Sequence, residues 1–152
     1  MNRPRLSSLL STTESRFGSS PPAATVMETA SVMVDQDYRV VAVVKGGRLQ
    51  GLVTRGDLLR YFVRTAGHRE ACGQISHVMT EALTVADPQM PLIQALELMD
   101  RNCIDYLPVV DQGRLMGIVP KCQLLRGLVE ALQSDCRHIQ DYIEHLHQAG
   151  QD

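Results

Sequence analysis

The chain has 152 residues, about one domain's worth, with 44% hydrophobic and 21% charged residues, as in water-soluble globular proteins. Lys and Arg number 15 against 17 Asp and Glu, and the formal net charge of −2 excludes a generally basic nucleic-acid binder. No apolar run approaches the roughly 20 residues of a membrane helix, and the first residues lack the apolar segment of a secretory signal. The four cysteines have no CxxC spacing. We therefore expect a cytoplasmic protein that does not contact a membrane.

The sequence contains an internal repeat. When the chain is displaced by 66 positions against itself, residues 40–53 align without a gap with residues 106–119. Over about 47 aligned positions around this segment, roughly a quarter are identical, and most of the others keep their apolar character. The repeat predicts two copies of one structural unit.

Each copy predicts the order strand, helix, strand, strand, helix. In the first copy, apolar residues three or four apart predict a helix within Ala23–Asp35. The apolar runs Val40–Val44 and Leu49–Val53 predict two strands covered on both faces. Gly46 and Gly47 between them favour a tight hairpin turn. A further helix is predicted to begin near Thr54.

The second copy repeats this order. Leu83–Ala86 is an extended segment, and Pro91–Asn102 carries the helical pattern, with proline in its first turn. Leu107–Val110 and Leu115–Val119 predict the second hairpin, and a helix follows near Lys121. The predicted fold class is α/β (α+β), with two β-α-β-β-α units.

The rest of the chain flanks and joins the units. Residues 1–16 lead into unit one at 17–66, the polar connector 67–74 leads into unit two at 75–131, and residues 132–152 form an extension. The extension predicts a helix over Gln133–Gln148. Its apolar stripe has no evident partner within the units and comprises Ile139, Tyr142, Ile143 and Leu146.

Motifs in both units carry a resemblance to a known family. They are Gly51-Leu-Val-Thr54-Arg-Gly-Asp57, His77-Val78-Met79-Thr80, Leu107-Pro108-Val109-Val110-Asp111 and Gly117-Ile118-Val119. Together with the duplication, they resemble a tandem pair of CBS domains (a Bateman module) over residues 17–131. The resemblance implies two halves related by a pseudo-two-fold axis, with clefts that hold adenine nucleotides or S-adenosylmethionine. It also implies regulation of another protein without catalysis.

Thr54 and Asp57 have two interpretations. Thr three residues before an acid is a capping box, which satisfies the free N–H groups at a helix start. The same helix start suits a phosphate, and an aspartate can accept both hydroxyls of a ribose. The resemblance implies that Thr54 contacts the phosphate and Asp57 the ribose. Arg55 adds a cation beside them.

Four further residues are candidate contacts for the adenine. Apolar strand residues are expected to hold the adenine, and the candidates are Ser19, Ser20, Val41 and Ala42. At the positions of Thr54 and Asp57, unit two has Pro120 and Gln123, which cannot supply the hydroxyl and the anionic acceptor. The sequence thus predicts one competent nucleotide site.

We attribute the histidines near Cys136 to a polar helix face and predict no metal and no resident cofactor.

Two function classes fit these features. The first is a stand-alone sensor that binds AMP, ADP, ATP or S-adenosylmethionine and signals to an unidentified partner. The second is an assembly or docking protein whose pockets have decayed, while no catalytic constellation supports an enzyme. The apolar segments Leu58–Val63 and Leu124–Val129 also predict a homodimer, helped by the C-terminal helix.

Overall fold

The computed structural model describes residues 3–11, 16–66 and 73–150. Most of the predicted connector 67–74, Cys72 and parts of the N-terminal segment lie outside the described residues. The helices are α1 (Leu6–Leu10), α2 (Val26–Asp35), α3 (Arg55–Thr65), α4 (Leu92–Arg101) and α5 (Lys121–Ala149). A 3-10 turn spans Ile75–His77. The strands are β1 (Phe17–Ser20), β2 (Val40–Lys45), β3 (Arg48–Thr54), β4 (Tyr106–Asp111) and β5 (Arg114–Pro120).

The five strands form one sheet in the order β1-β2-β3-β5-β4. Strands β2 and β3 pair antiparallel, as do β4 and β5, while β1 lies parallel to β2. The two halves of the sheet meet where Arg48 of β3 pairs with Arg114 of β5. The predicted class, a mixed α+β fold with repeated units and a C-terminal helix, is confirmed.

Both predicted hairpins form through residues with positive φ. Gly46 and Gly47 have φ of 60° and 78°, and Gln112 and Gly113 have φ of 48° and 80°. Two consecutive residues in the left-handed region turn the chain with the twist of the flanking strands. These turn residues explain why both hairpins form at the positions that the sequence predicted.

The first strand of unit two is reduced to a single bridge. Only Ala86 of the predicted segment Leu83–Ala86 pairs with β4, opposite Val109. The backbone N–H of Ala86 donates to the carbonyl of Pro108, and the carbonyl of Ala86 accepts from the N–H of Val110, both at 2.9 Å. The next ladder bond would need an N–H from Pro108, which proline lacks. The preceding residues therefore leave the sheet, and Thr84 and Leu83 line a cavity instead.

The C-terminal extension is not a separate helix. Helix α5 continues from Lys121 to Ala149 through the predicted boundary at 132, because the chain has no proline or glycine between Gly127 and Gly150. Within the parts of the chain that the structure describes, no helix is long and apolar enough to cross a membrane. The predicted cytoplasmic location stays a prediction.

The central strands are buried on both faces, as predicted. Val41 and Val43 pack with the helices of unit one, in a cluster that includes Val26, Met33 and Leu58. The opposite face of β2 contributes Val40 and Ala42 to a layer between the units, which also contains Leu52 of β3 and Ile118 of β5. A third cluster fills unit two, and it comprises Leu6, Leu9, Ala86, Leu92, Ala95, Met99, Leu107, Val109, Val119 and Leu124.

Each unit is completed by the segment that precedes the other unit. Leu6 of α1 is fully buried in the core of unit two, whereas Ile75 is fully buried in the core of unit one. The close approach of the Ile75–Thr80 segment needs glycine at position 51, because a Cβ there would come within 2.9 Å of the Thr80 carbonyl oxygen, whereas a Cβ on Gly117 would meet only the side chain of Leu10. These exchanged segments tie the two units together.

Candidate ligand-binding site

A cavity of about 700 Å³ lies between the start of α3 in unit one and strand β4 of unit two. That volume is within the range of small-molecule sites. Both units contribute walls, with the α3 start on one side and residues of β4 and the segment before α4 on the other. The lining residues are Arg39, Leu52, Thr54, Arg55, Gly56, Asp57, Arg60, Thr80, Ala82, Leu83, Thr84, Asn102, Cys103, Ile104, Asp105, Tyr106 and Pro108.

Thr54 and Asp57 form the predicted capping box at this cavity. The backbone N–H of Thr54 donates to Asp57 Oδ2 at 2.8 Å, and the Thr54 hydroxyl donates to the same oxygen at 3.0 Å. In return, the N–H of Asp57 donates to Thr54 Oγ1 at 3.4 Å. The Asp57 side chain is only 14% exposed, and its Oδ1 lies 3.4 Å from Arg60 Nη2. The cap thus fixes the carboxylate and leaves Oδ1 outside the box.

Arg55 lines the cavity but is held at its rim by unit one. Its Nη2 lies 2.6 Å from Asp37 Oδ1, and its Nε donates to the carbonyl of Tyr38 at 3.0 Å. The Arg55 guanidinium lowers the pKa of Asp37. Three arginines and two aspartates line the cavity, and two of these arginines are paired, Arg55 with Asp37 and Arg60 with Asp57.

The cavity has an apolar wall opposite the charged one. Tyr106 and Pro108 come from β4, and Leu83 and Ile104 come from the segments that flank α4. Thr80 reaches the cavity because it pairs with Leu52, through backbone bonds of 3.1 and 2.9 Å. This wall gives an aromatic ring and aliphatic side chains against which a flat base can pack.

The structure brings Thr54, Arg55 and Asp57 together, but not the four other candidates. Ser19 and Ser20 lie on β1, at the other end of the sheet, and Val41 is buried against the helices of unit one. Ala42 lies in the layer between the units and does not line this cavity. The α3 start instead shares its cavity with residues of the second unit.

Sequence reasoning therefore missed the wall from unit two. The repeat contained a signal: the positions of Val40 and Ala42 correspond to Tyr106 and Pro108 in the second copy, and both of these line the cavity. Thr80 belongs to the motif His77-Val78-Met79-Thr80, but the sequence did not predict it as a ligand contact.

The equivalent helix start in unit two lacks this arrangement. Pro120 is the N-cap of α5 and makes no side-chain cap hydrogen bond. Lys121 pairs with Asp100 at 2.7 Å, and the hydrogen bond raises the pKa of Lys121. Residues 3–11, 16–66 and 73–150 contain no group of three or more His, Cys, Asp or Glu side chains that could hold a metal ion.

Comparison with known proteins identifies relatives of the same architecture. The chain is 36% identical over 115 residues to the CBS domain-containing protein YhcV of Bacillus subtilis, covering 75% of this chain and 80% of the relative. Its fold resembles the solved CBS domain pair of MJ0100, in complex with 5′-methylthioadenosine and S-adenosyl-L-methionine (TM-score 0.70, 21% identity, 85% and 98% of the two chains). It also resembles CBSX2 in complex with AMP (TM-score 0.67, 20% identity, 81% and 96%).

The family assignment follows from the repeated units themselves. The family model of the CBS domain matches the chain twice, at residues 19–64 and 75–130. These ranges contain both hairpins and the α3 and α5 starts described above. The chain therefore belongs to the CBS domain family and carries two CBS domains in tandem.

Proposed function

We propose that this protein is a regulatory sensor that binds an adenine-containing ligand in the cavity between its two CBS domains. The proposal rests mainly on one observation: the cavity combines a fixed carboxylate, a helix start and an apolar wall. Tandem CBS domains form regulatory modules, and we infer that this chain regulates a partner and catalyses no reaction itself.

The charged side of the cavity suits a ribose phosphate. Asp57 Oδ1 is free of the capping box and can accept hydrogen bonds from ribose hydroxyls. The start of α3 lies next to it, where the positive end of the helix dipole favours a phosphate or another anionic group, although the N–H groups of Arg55 and Asp57 already donate within the protein. Arg39 and Arg60 supply cationic side chains on the same side.

The apolar side suits the adenine base. Tyr106, Leu83 and Pro108 face the cavity from unit two, so a ligand that uses both sides bridges the two domains. In MJ0100 and CBSX2, the bound ligands all contain adenosine, which supports an adenine-containing ligand here. Thermal melting distinguishes among AMP, ADP, ATP and S-adenosylmethionine.

Ligand binding can be signalled to a partner protein by a change in the relative position of the two domains. A ligand that contacts both walls favours the arrangement in which it fits best, by its difference in affinity for the available arrangements.

Helices α3 and α5 present the exposed side chains Leu59, Val63, Leu125 and Val129, at equivalent positions of the repeat. We propose this helix face as the site of homodimer contact, since broad apolar patches mark interfaces.

Thermal melting against a ligand panel tests the sensor function. The panel contains AMP, ADP, ATP, S-adenosylmethionine and NAD, with GMP and GTP as controls for the base. A ligand at 100 times its dissociation constant is expected to stabilise the fold by about 2.7 kcal/mol. Stabilisation by at least one adenine compound supports the sensor. No shift with any of them contradicts it and favours a docking protein with decayed pockets.

We expect one equivalent of ligand per chain. Pro120 and Gln123 replace the hydroxyl and the carboxylate at the second helix start, so the matching cleft lacks the groups that recognise ribose phosphate. Calorimetric titration measures this stoichiometry directly. Saturation at two equal sites per chain would show that the contrast between Thr54 and Pro120 does not decide binding.

A further inference from the structure

The C-terminal half of α5 packs against no other element among the residues that the structure describes. Every residue from Asp135 to Gly150 is exposed, although the helix continues without a break to Ala149. An isolated helix of that length is marginal in water, because its backbone bonds alone barely offset the ordering of the chain. Contacts with another helix would supply the stability that this segment lacks by itself.

The exposed apolar residues of α5 follow a heptad repeat. Successive members are alternately four and three residues apart, and this period of 3.5 is typical of a coiled-coil seam. The seam extends for about 32 Å at 1.5 Å per residue. Its members are Leu125, Val129, Leu132, Cys136, Ile139, Ile143 and Leu146, all of them exposed.

We propose that this seam pairs with the same seam of a second copy of the chain, as a parallel, in-register, two-stranded coiled coil. Val129 and Ile143 occupy a positions, and Leu132 and Leu146 occupy d positions. β-Branched residues at a with leucine at d favour parallel dimers. This inference rests on the homodimer proposed above, whose helix face shares Leu125 and Val129 with the seam, and it is independent of the ligand.

The surface of α5 contains the matching hole. A depression on the helix is lined by Val129, Leu132, Gln133, Cys136 and Arg137. The first four are successive a, d, e and a positions, the set that encloses a d-position side chain of a facing parallel helix. The partner's Leu132 is the side chain that fits. Because one surface supplies both knob and hole, the contact is self-complementary around a two-fold axis.

The positions beside the seam do not oppose self-pairing. Parallel pairing sets Asp135 opposite the partner's Gln140, and Tyr142 opposite the partner's His147. Neither pair brings two carboxylates or two cations together. The seam also starts at Leu125, within the second CBS domain, so that an in-register coil brings this domain against its copy.

Disulfide formation at Cys136 tests the coil in the full-length chain. The parent variant carries Cys72→Ser, Cys103→Asn and Cys122→Ser, with Asn at 103 because φ there is 50°. An in-register parallel coil brings the two Cys136 residues into disulfide range. We expect mild oxidation to convert most of the parent into covalent dimer. Light scattering should give twice the chain mass of 16.8 kDa before oxidation.

A matched pair of charge variants gives the control. Ile139→Glu with Leu146→Glu places two carboxylates in the seam, whereas Ser134→Glu with Gln148→Glu places them on the opposite face. We expect the seam variant to lose covalent dimer at least tenfold and the control to match the parent, with equal melting of the CBS domains. A parent monomer, a dimer without the Cys136 disulfide, or equal yields in the two variants would each overturn the coil.

Discussion

Leu6→Ala is expected to lower the free energy of unfolding by about 2–5 kcal/mol, the cost of removing a fully buried leucine side chain. Leu6 is fully buried in the core of unit two, although it precedes unit one in the sequence. Its N–H donates to the carbonyl of Met90 at 3.0 Å, and the N–H of Leu92 donates to the carbonyl of Pro4 at 3.0 Å. Helix α1 therefore fills a gap in the second domain.

Urea unfolding of the full chain measures this effect. Val34→Ala is the control, because Val34 is 78% exposed and its loss should change stability by less than about 0.5 kcal/mol. If Leu6→Ala unfolds at the same urea concentration as the control, α1 does not belong to the core of unit two.

Local sequence patterns predicted the parts of the fold that depend on neighbouring residues. The paired glycines Gly46 and Gly47 predicted a hairpin, and the spacing of Thr54 and Asp57 predicted a capped helix start at the proposed site. These features depend on backbone conformation and on contacts within four residues. The 66-residue repeat then extended the same prediction to the second unit.

The parts that were not predicted depend on contacts between distant segments. Helix α1 has five residues, too few for a periodic pattern, and its burial depends on a surface of unit two. The sequence predicted that Val41 and Ala42 of the first unit form the apolar wall, because no local sequence pattern indicates that β3 pairs with β5. Asp57 of the first unit and Tyr106 of the second line the same cavity.

Asp57→Ala is expected to weaken binding of the adenine ligand by about 1.5–3 kcal/mol, or roughly 10- to 150-fold in dissociation constant. The substitution removes the carboxylate that would accept the ribose hydroxyls. It also removes the capping box with Thr54, at a cost of about 1 kcal/mol in stability, so the fold survives. The measurement must therefore separate the loss of the cap from the loss of the proposed ligand contact.

The chain contains a second capping box that makes this separation possible. Thr25 and Glu28 at the start of α2 have the same bonds: the Thr25 N–H and hydroxyl donate to Glu28 Oε2 at 3.0 and 2.9 Å, and the Glu28 N–H donates to Thr25 Oγ1 at 3.1 Å. These bonds lower the pKa of Glu28. Neither residue lines the cavity. Glu28→Ala thus removes a cap and leaves the proposed ligand contacts intact.

Calorimetric titration of three proteins, the wild type, Asp57→Ala and Glu28→Ala, tests the proposed site most directly. The titrant is the adenine compound that gives the largest melting shift. We predict that Glu28→Ala binds it as the wild type does, with one equivalent per chain, and that Asp57→Ala binds it at least tenfold more weakly. Equal affinity in Asp57→Ala, or an equal loss in both variants, would contradict a ligand site at Asp57.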